Sequence, residues 1–406
     1  MSQPAQADPL SVDRVAKDHA ALVPPLEPQP DQTPLSTASN AMRHAEHLFG
    51  SFDPGVGGLQ RMLPPELCDG SPMRVTVDAR EGGGGRSVVA ARPIAAGEVV
   101  LTTEPFSCVL MPTQQQRFCA VCLSRVPGRV PTQVAGPPVR IRSCAGGCGW
   151  AVYCSDGCES SADASWHRQF ECRGARSIAG AKAADDTKLL ARLVLQTLLR
   201  GAYTQGSPAG WYDGILLLES HAVHRNKEQQ RDDKVLVNLV CEALRVHRAV
   251  PSPAEPTGQI DASARFDFAC VPELRKMLLA LVCAVRCNNF GVFEGAGDCG
   301  TAKGRGVSVA QAVYPAASFF NHSCSPNITR ATEGRRLVLR ASRPIEKGGA
   351  LCIMYGELAH RTHSERQRHL REHYCFDCKC QRCVKEAGRG GEGKHTRAPA
   401  RHKHTR

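Results

Sequence analysis

Apolar positions along the chain fall into two registers, brief β-branched runs towards both ends and longer stretches of helical period between them. Val75 with Val77, Val88 to Ala91 and Val99 to Leu101 are short apolar runs. Gly82–Gly85 and Ala96-Gly97 separate them as turn signals, so strands joined by turns are expected from about Met73. Arg92-Pro-Ile-Ala-Ala-Gly-Glu98 reads as one such turn followed by another strand. Between 174 and 290 the period lengthens. Leu189, Leu190, Leu193, Val194 and Leu198 lie on one helical face, and Val235, Leu236, Leu239, Val240 and Leu244 on another. A third helix is expected to begin at Pro272, with Leu274, Met277, Leu278, Leu281, Val282 and Val285 inward. Arg336 to Ala341 and Ala350 to Tyr355 then read as strands around the turn Glu346-Lys-Gly-Gly349. This is an α+β pattern.

Residues 1–70 carry ten prolines and little periodicity, which predicts a disordered leader, and the proline-rich stretch Ala249 to Thr257 reads as a loop. No apolar run approaches the roughly 20 residues needed to cross a bilayer, and the N-terminus lacks the features of a signal peptide. No membrane partner is therefore expected. In that setting 20 cysteines favour metal sites over disulfides, hence a reducing compartment, the nucleus and/or the cytoplasm. The net charge of +12 (51 basic against 39 acidic residues) is partly carried by the segment Lys385 to Arg406. Such a basic tail can hold nucleic acid, an acidic chromatin surface or an import receptor, but more often it is simply a solvated, disordered end.

Two cysteine-rich stretches carry metal chemistry. Cys119-x2-Cys122, Cys144-x3-Cys148, Cys154-x3-Cys158, His167 and Cys172 make eight soft or borderline ligands, enough for two tetrahedral zinc sites. Loops so short and polar bury little, so metal must supply much of their folding energy. Near the C-terminus, Cys378-x-Cys380-x2-Cys383 offers three ligands and leaves a zinc one short. Between these clusters runs Tyr314-Pro-Ala-Ala-Ser-Phe-Phe-Asn-His-Ser-Cys-Ser-Pro-Asn327. Phe319 and Phe320 deliver Asn321 and His322 into an apolar setting, where both need hydrogen-bond partners. Cys324 follows two residues on and can join a metal if other cysteines come near.

Asn-His-Ser-Cys-x-Pro-Asn resembles the signature of SET-domain protein lysine methyltransferases. Together with the cysteine cluster at 119–172, the chain is similar to the SET and MYND domain family over residues 72–384. The resemblance implies a β-rich SET fold of short sheets with a pseudoknot, interrupted by a MYND zinc finger and a helical insertion and closed by a post-SET zinc clamp. The implied division is a leader at 1–70, the first SET part at 71–117, the finger at 118–173, the insertion at 174–285, the SET core at 286–358, the clamp at 359–384 and the tail at 385–406. It implies S-adenosylmethionine as cofactor and a histone or non-histone protein presenting a lysine as substrate. Tyr355 matches the catalytic tyrosine. Gly85 and Arg86 fall in the cofactor loop, where Ser87 replaces the second glycine of the family pattern. Asn288 in Cys287-Asn-Asn-Phe290, Ser318, Asn321, His322, Tyr355 itself and Phe376 match cofactor contacts, with Phe376 stacking on the adenine.

Three zinc ions follow from the same resemblance. The interleaved finger pattern pairs Cys119, Cys122, Cys154 and Cys158 on one ion, and Cys144, Cys148, His167 and Cys172 on the next. Cys324 completes Cys378, Cys380 and Cys383 on the third. MYND fingers take short proline-rich peptides, and Pro24-Pro25-Leu26-Glu27-Pro28 fits that pattern within this chain. The basic tail follows Cys383 closely, so the helical C-terminal domain of longer members is not expected. Two other readings stand beside the enzyme: a zinc-dependent interaction adaptor with a weak or inactive SET part, suggested by Ser87, and a nucleic-acid-binding regulator, suggested by charge alone.

Overall fold

The computed structural model describes residues 64–67, 70–77, 85–126, 142–203, 215, 218–248, 274–294 and 306–390. Most of the expected leader, with Pro24–Pro28, lies outside them, as do Gly82 to Gly84, Pro272, the loop 249–257 and the tail beyond 390. Among the described residues no helix is long and apolar enough to cross a membrane.

The strands expected near the start form. β1 (Met73–Val77) pairs antiparallel with β2 (Arg86–Ala90), Met73 opposite Ala90. β3 (Val99–Thr103) joins a three-stranded sheet in which β11 (Arg336–Ala341) lies between it and β10 (Ile328–Glu333). Leu337, Val338 and Leu339 are all buried on this central strand. Gly334 turns the β10–β11 hairpin at φ +61°, a conformation glycine adopts without steric cost. A second sheet sets β8 (Ser308–Val313) between β4 (Ser107–Leu110) and β7 (Asn289–Phe293), all antiparallel. β5 (Arg142–Ser143) and β6 (Val152–Tyr153) pair inside the cysteine-rich segment. β9 (Asn321–His322) and β12 (Cys352–Ile353) form a two-residue parallel pair. The strand expected over Ala350 to Tyr355 is thus only Cys352–Ile353, and Tyr355 lies just beyond it, released from pairing.

The helical middle comprises Cys172–Gly180, Asp185–Tyr203, Lys227–Arg248 and Leu274–Asn288. Leu193, Val194 and Leu198 pack with Leu236, Val240 and Leu244 and with Leu278, Leu281 and Val285. Val109 and Val313 carry this core onto the β4–β8 sheet. One inward expectation fails, because Val235 is 47% exposed while Asp233 is 0% exposed. Asp233 occupies the inner face because two guanidiniums neutralise it there: Arg225 Nε and Arg286 Nε each donate to its carboxylate at 2.8 Å.

Beyond the SET-like sheets come two further helices, His363–Tyr374 and Gln381–Gly390. Thr362 starts the first through a capping box, accepting from the Glu365 amide while Glu365 accepts from the Thr362 amide. Its inner face holds Leu370 and the buried Arg366 and Gln367 against the C-terminal cysteines.

Candidate functional site

Three groups of ligands assemble among the described residues, each with ligand atoms within 4.8 Å of one another. Cys119, Cys122, Cys154 and Cys158 form the first; Cys144, Cys148, His167 and Cys172 the second; Cys324, Cys378, Cys380 and Cys383 the third. All eleven cysteines among them are free thiols rather than disulfides. Thiolates about 2.3 Å from a tetrahedral zinc stand about 3.8 Å apart. Cys154 and Cys158 are 3.6 Å apart, Cys144 and Cys172 3.6 Å, and Cys324 and Cys378 3.9 Å. Spacing and ligand chemistry therefore fit zinc in each group.

The second group has a built support. His167 turns Nε2 toward Cys148 at 3.4 Å and Nδ1 toward Glu171 at 2.7 Å. Burial alone would raise the Glu171 pKa, but Arg192 and His167 hold it down to about 2. Arg192 Nε donates to that carboxylate at 3.0 Å and Gln196 Nε2 at 3.2 Å. Gln196 Oε1 in turn accepts from the Cys108 amide on β4.

The third group stands beside the Asn-His pair. Tyr355 donates its hydroxyl to the Phe320 carbonyl at 2.8 Å and its amide to His322 Nδ1 at 2.9 Å. Its ring lies 4.8 Å from that of Tyr374 and 5.3 Å from that of His322, with Phe376 edge-on at 6.5 Å. Burial, reinforced by Tyr374, pushes the Tyr355 pKa well above the usual phenol value, so the hydroxyl keeps its proton. Burial, with Arg366 and His369 nearby, lowers the His322 pKa to about 4.

Asn321 Nδ2 donates to the Arg86 carbonyl at 2.8 Å and to Ser87 Oγ at 2.9 Å, tying β9 to β2. Ser87, the departure in the glycine loop, is thereby part of the assembly. Arg86 stacks over Phe319 at 5.2 Å and pairs with Glu219 at 3.1 Å. Asn288 gives its side-chain amide to the carbonyls of Glu219 and Ala284, both at 2.8 Å. Ser318 turns its hydroxyl back to the Tyr314 carbonyl at 3.0 Å, so that side chain closes its own turn. Gly85 is exposed, and a Cβ there would meet nothing within 4 Å. Arg86, Asn288, Asn321, His322, Tyr355 and Phe376 are thus linked in one neighbourhood. Sequence reasoning missed Glu219 and Tyr374; the first lies in an aperiodic segment, and the second directly precedes the clamp motif, where its aromatic ring was the available signal.

The sequence profile of the SET domain matches residues 85–356, from the Arg86 loop to just past Tyr355. The chain belongs to the SET domain family. Its relatives include the human histone-lysine N-methyltransferase SMYD3, 29% identical over 308 residues, covering 75% of this chain and 60% of the relative. A SET and MYND domain-containing protein of Dictyostelium discoideum is 23% identical over 328 residues, covering 74% of this chain and 79% of that protein. Human protein-lysine N-methyltransferase SMYD4 is 28% identical over 212 residues, 49% of this chain and 26% of that one. The chain therefore spans less than two-thirds of the length of the human SMYD3 it matches. Within the SET domain, β9 and β12 bring the Asn-His pair beside Tyr355, and Cys324 connects the domain to the cysteines that follow it.

Proposed function

We propose that this SET domain protein is an S-adenosylmethionine-dependent protein-lysine N-methyltransferase acting on a histone or non-histone protein. The observation that carries the reading is Tyr355, kept protonated and fixed at both its hydroxyl and its amide beside Asn321 and His322. The charged pair next to it suits the cofactor's amino-acid end: the Arg86 guanidinium complements a carboxylate, and Glu219 an ammonium. Asn321 and His322 supply backbone to the cradle, because their side chains are engaged within the protein. Phe376 offers an aromatic face for a purine. S-adenosylmethionine, when bound, supplies the electrophilic methyl group.

Attack by an amine on that methyl is an in-line displacement, so placement governs the rate. A lysine amine entering beside Tyr355 and Tyr374 loses its water, and this desolvation, together with the positive charge of the cofactor when bound, lowers the lysine pKa towards the neutral nucleophile. The Tyr355 oxygen, whose proton is committed to the Phe320 carbonyl, keeps lone pairs to accept an amine hydrogen and orient the nitrogen.

The arrangement reads as a MYND finger at 118–173, an insertion at 174–285, SET parts at 71–117 and 286–358 joined through a pseudoknot, and a post-SET clamp at 359–384. The parallel β9–β12 pair and the three ligand groups support this division. The finger would take proline-rich peptides, the leader segment Pro24–Pro28 being one candidate. Free thiols throughout the described residues support residence in the nucleus and/or the cytoplasm. Ser87, the observation favouring an inactive adaptor, holds Asn321 in this site and so weighs less than its sequence position suggests.

Calorimetric titration of the full, zinc-loaded chain with S-adenosylhomocysteine tests the cofactor half of the proposal. One site per chain is expected, weakened about tenfold or more by Arg86→Ala or Glu219→Gln, as befits loss of charge-assisted bonds worth about 1.5–3 kcal/mol. A flat titration of the unsubstituted chain would leave the adaptor reading in its place.

A further inference from the structure

Cys324 Sγ and the backbone of Tyr355 face the two nitrogens of one imidazole ring. The Tyr355 amide is 2.9 Å from His322 Nδ1, and Cys324 Sγ is 3.2 Å from Nε2. A backbone N–H only donates, so Nδ1 must present its lone pair and the ring proton must sit on Nε2. That proton points at a sulfur belonging to the third ligand group. We propose that His322 is a positioning residue that couples the C-terminal metal clamp to Tyr355 through one fixed tautomer. The inference rests on the reading above, that zinc occupies the four cysteines and that Tyr355 acts in methyl transfer.

The surroundings make the coupling stiff. Cys324 is buried, and the Ser323 amide donates to the Ile353 carbonyl at 2.9 Å, continuing the β9–β12 pairing toward Tyr355. The His322 ring is also 6.0 Å from Phe376, which stands just before the clamp cysteines. A thiolate in a four-cysteine zinc site carries excess negative charge, and an N–H donor aimed at it is a charge-assisted bond. Arg366, buried beneath the clamp, does the same for Cys383 at 3.5 Å. Outer contacts of this kind orient metal ligands and tune their affinity. In this chain the contact at Cys324 continues, through the same ring, to the amide of the proposed catalytic residue. Loading the clamp thereby sets where Tyr355 stands, and the clamp both closes the site and registers it.

The test uses the full chain labelled with nitrogen-15, with cadmium-113 in place of zinc. Long-range proton–nitrogen correlations should show His322 protonated on Nε2, with a scalar coupling from that proton across sulfur to cadmium. Exchanging cadmium for zinc should move the Tyr355 amide resonance in the unsubstituted chain and leave it unmoved in His322→Phe. The same variant should lose zinc from the clamp about 10- to 100-fold more readily to a chelator, with the finger sites unchanged. His322→Gln keeps an N–H near the Nε2 position and should recover most of the zinc retention without restoring the response of Tyr355. A proton on Nδ1, or a Tyr355 response that survives His322→Phe, would overturn the proposal. None of these readouts requires methyl transfer, so failure of the transferase reading and failure of the coupling are separately visible.

Discussion

Tyr355 is held at two points, hydroxyl to Phe320 and amide to His322, before any substrate arrives. A phenol so placed costs little reorganisation during reaction, which is where polar groups in a dry site act most strongly. Tyr355→Phe should therefore lower methyl transfer about 10²–10³-fold, the range for losing one such preorganised group, while cofactor affinity stays near that of the unsubstituted chain. Parallel calorimetry and single-turnover transfer check the split between binding and chemistry. Asn321 and His322 were legible in the sequence because the motif packs several unusual residue types into a few positions, and Tyr355 because it ends the last expected strand where the family carries its tyrosine. Glu219 was not, since one carboxylate in an aperiodic stretch carries no local signature, and its pairing with Arg86 spans 133 positions. Asp233 was hidden for a related reason: burying it requires Arg225 and Arg286, and Arg286 belongs to another helix.

At the scale of elements, the apolar period located the long helices because each presents a continuous buried stripe to its neighbours. Leu281, fully buried in the helix Leu274–Asn288, is part of that stripe. Leu281→Ala should cost about 2–5 kcal/mol, read as a lower denaturant midpoint for loss of helical signal. The helices that flank the clamp were missed. His363–Tyr374 buries one leucine, Leu370, and its other inward positions are polar, so no hydrophobic period exists to detect. The capping box of Thr362 and Glu365 was its one readable mark. Two-residue strands such as β9 and β12 are equally silent, because their pairing is decided by distant backbone rather than by their own side chains.

For the molecule as a whole, polar joints fasten the cysteine-rich segment 119–172 to the rest. Glu171 connects His167 to Arg192 and Gln196, and Gln196 reaches the amide of Cys108 on β4. Arg335, at the β10–β11 turn, donates to Asp163 at 2.6 Å, and Arg200 from the long helix donates to the same carboxylate at 2.8 Å. Arg125 pairs with Glu294 across the same boundary. Removing the central carboxylate leaves Arg192 buried without its partner, a loss of about 3–5 kcal/mol by analogy with broken buried pairs. Glu171→Gln should accordingly speed chelation of the second finger site and raise protease cleavage within 142–180, with clamp zinc retained. Equal retention at all three sites would mean that the Cys144–Cys172 ligand group stands independently of this joint. The three ligand sets could be read from cysteine spacing, but the joints could not, because each is made by residues far apart in the chain.

The decisive measurement follows labelled methyl from S-adenosylmethionine into core histones and a cell lysate, using the zinc-loaded full chain and Tyr355→Phe side by side. Label on protein lysine that falls at least a hundredfold with the substitution is the predicted result. Cofactor binding with no label on any protein, or label that persists unchanged in Tyr355→Phe, would contradict it.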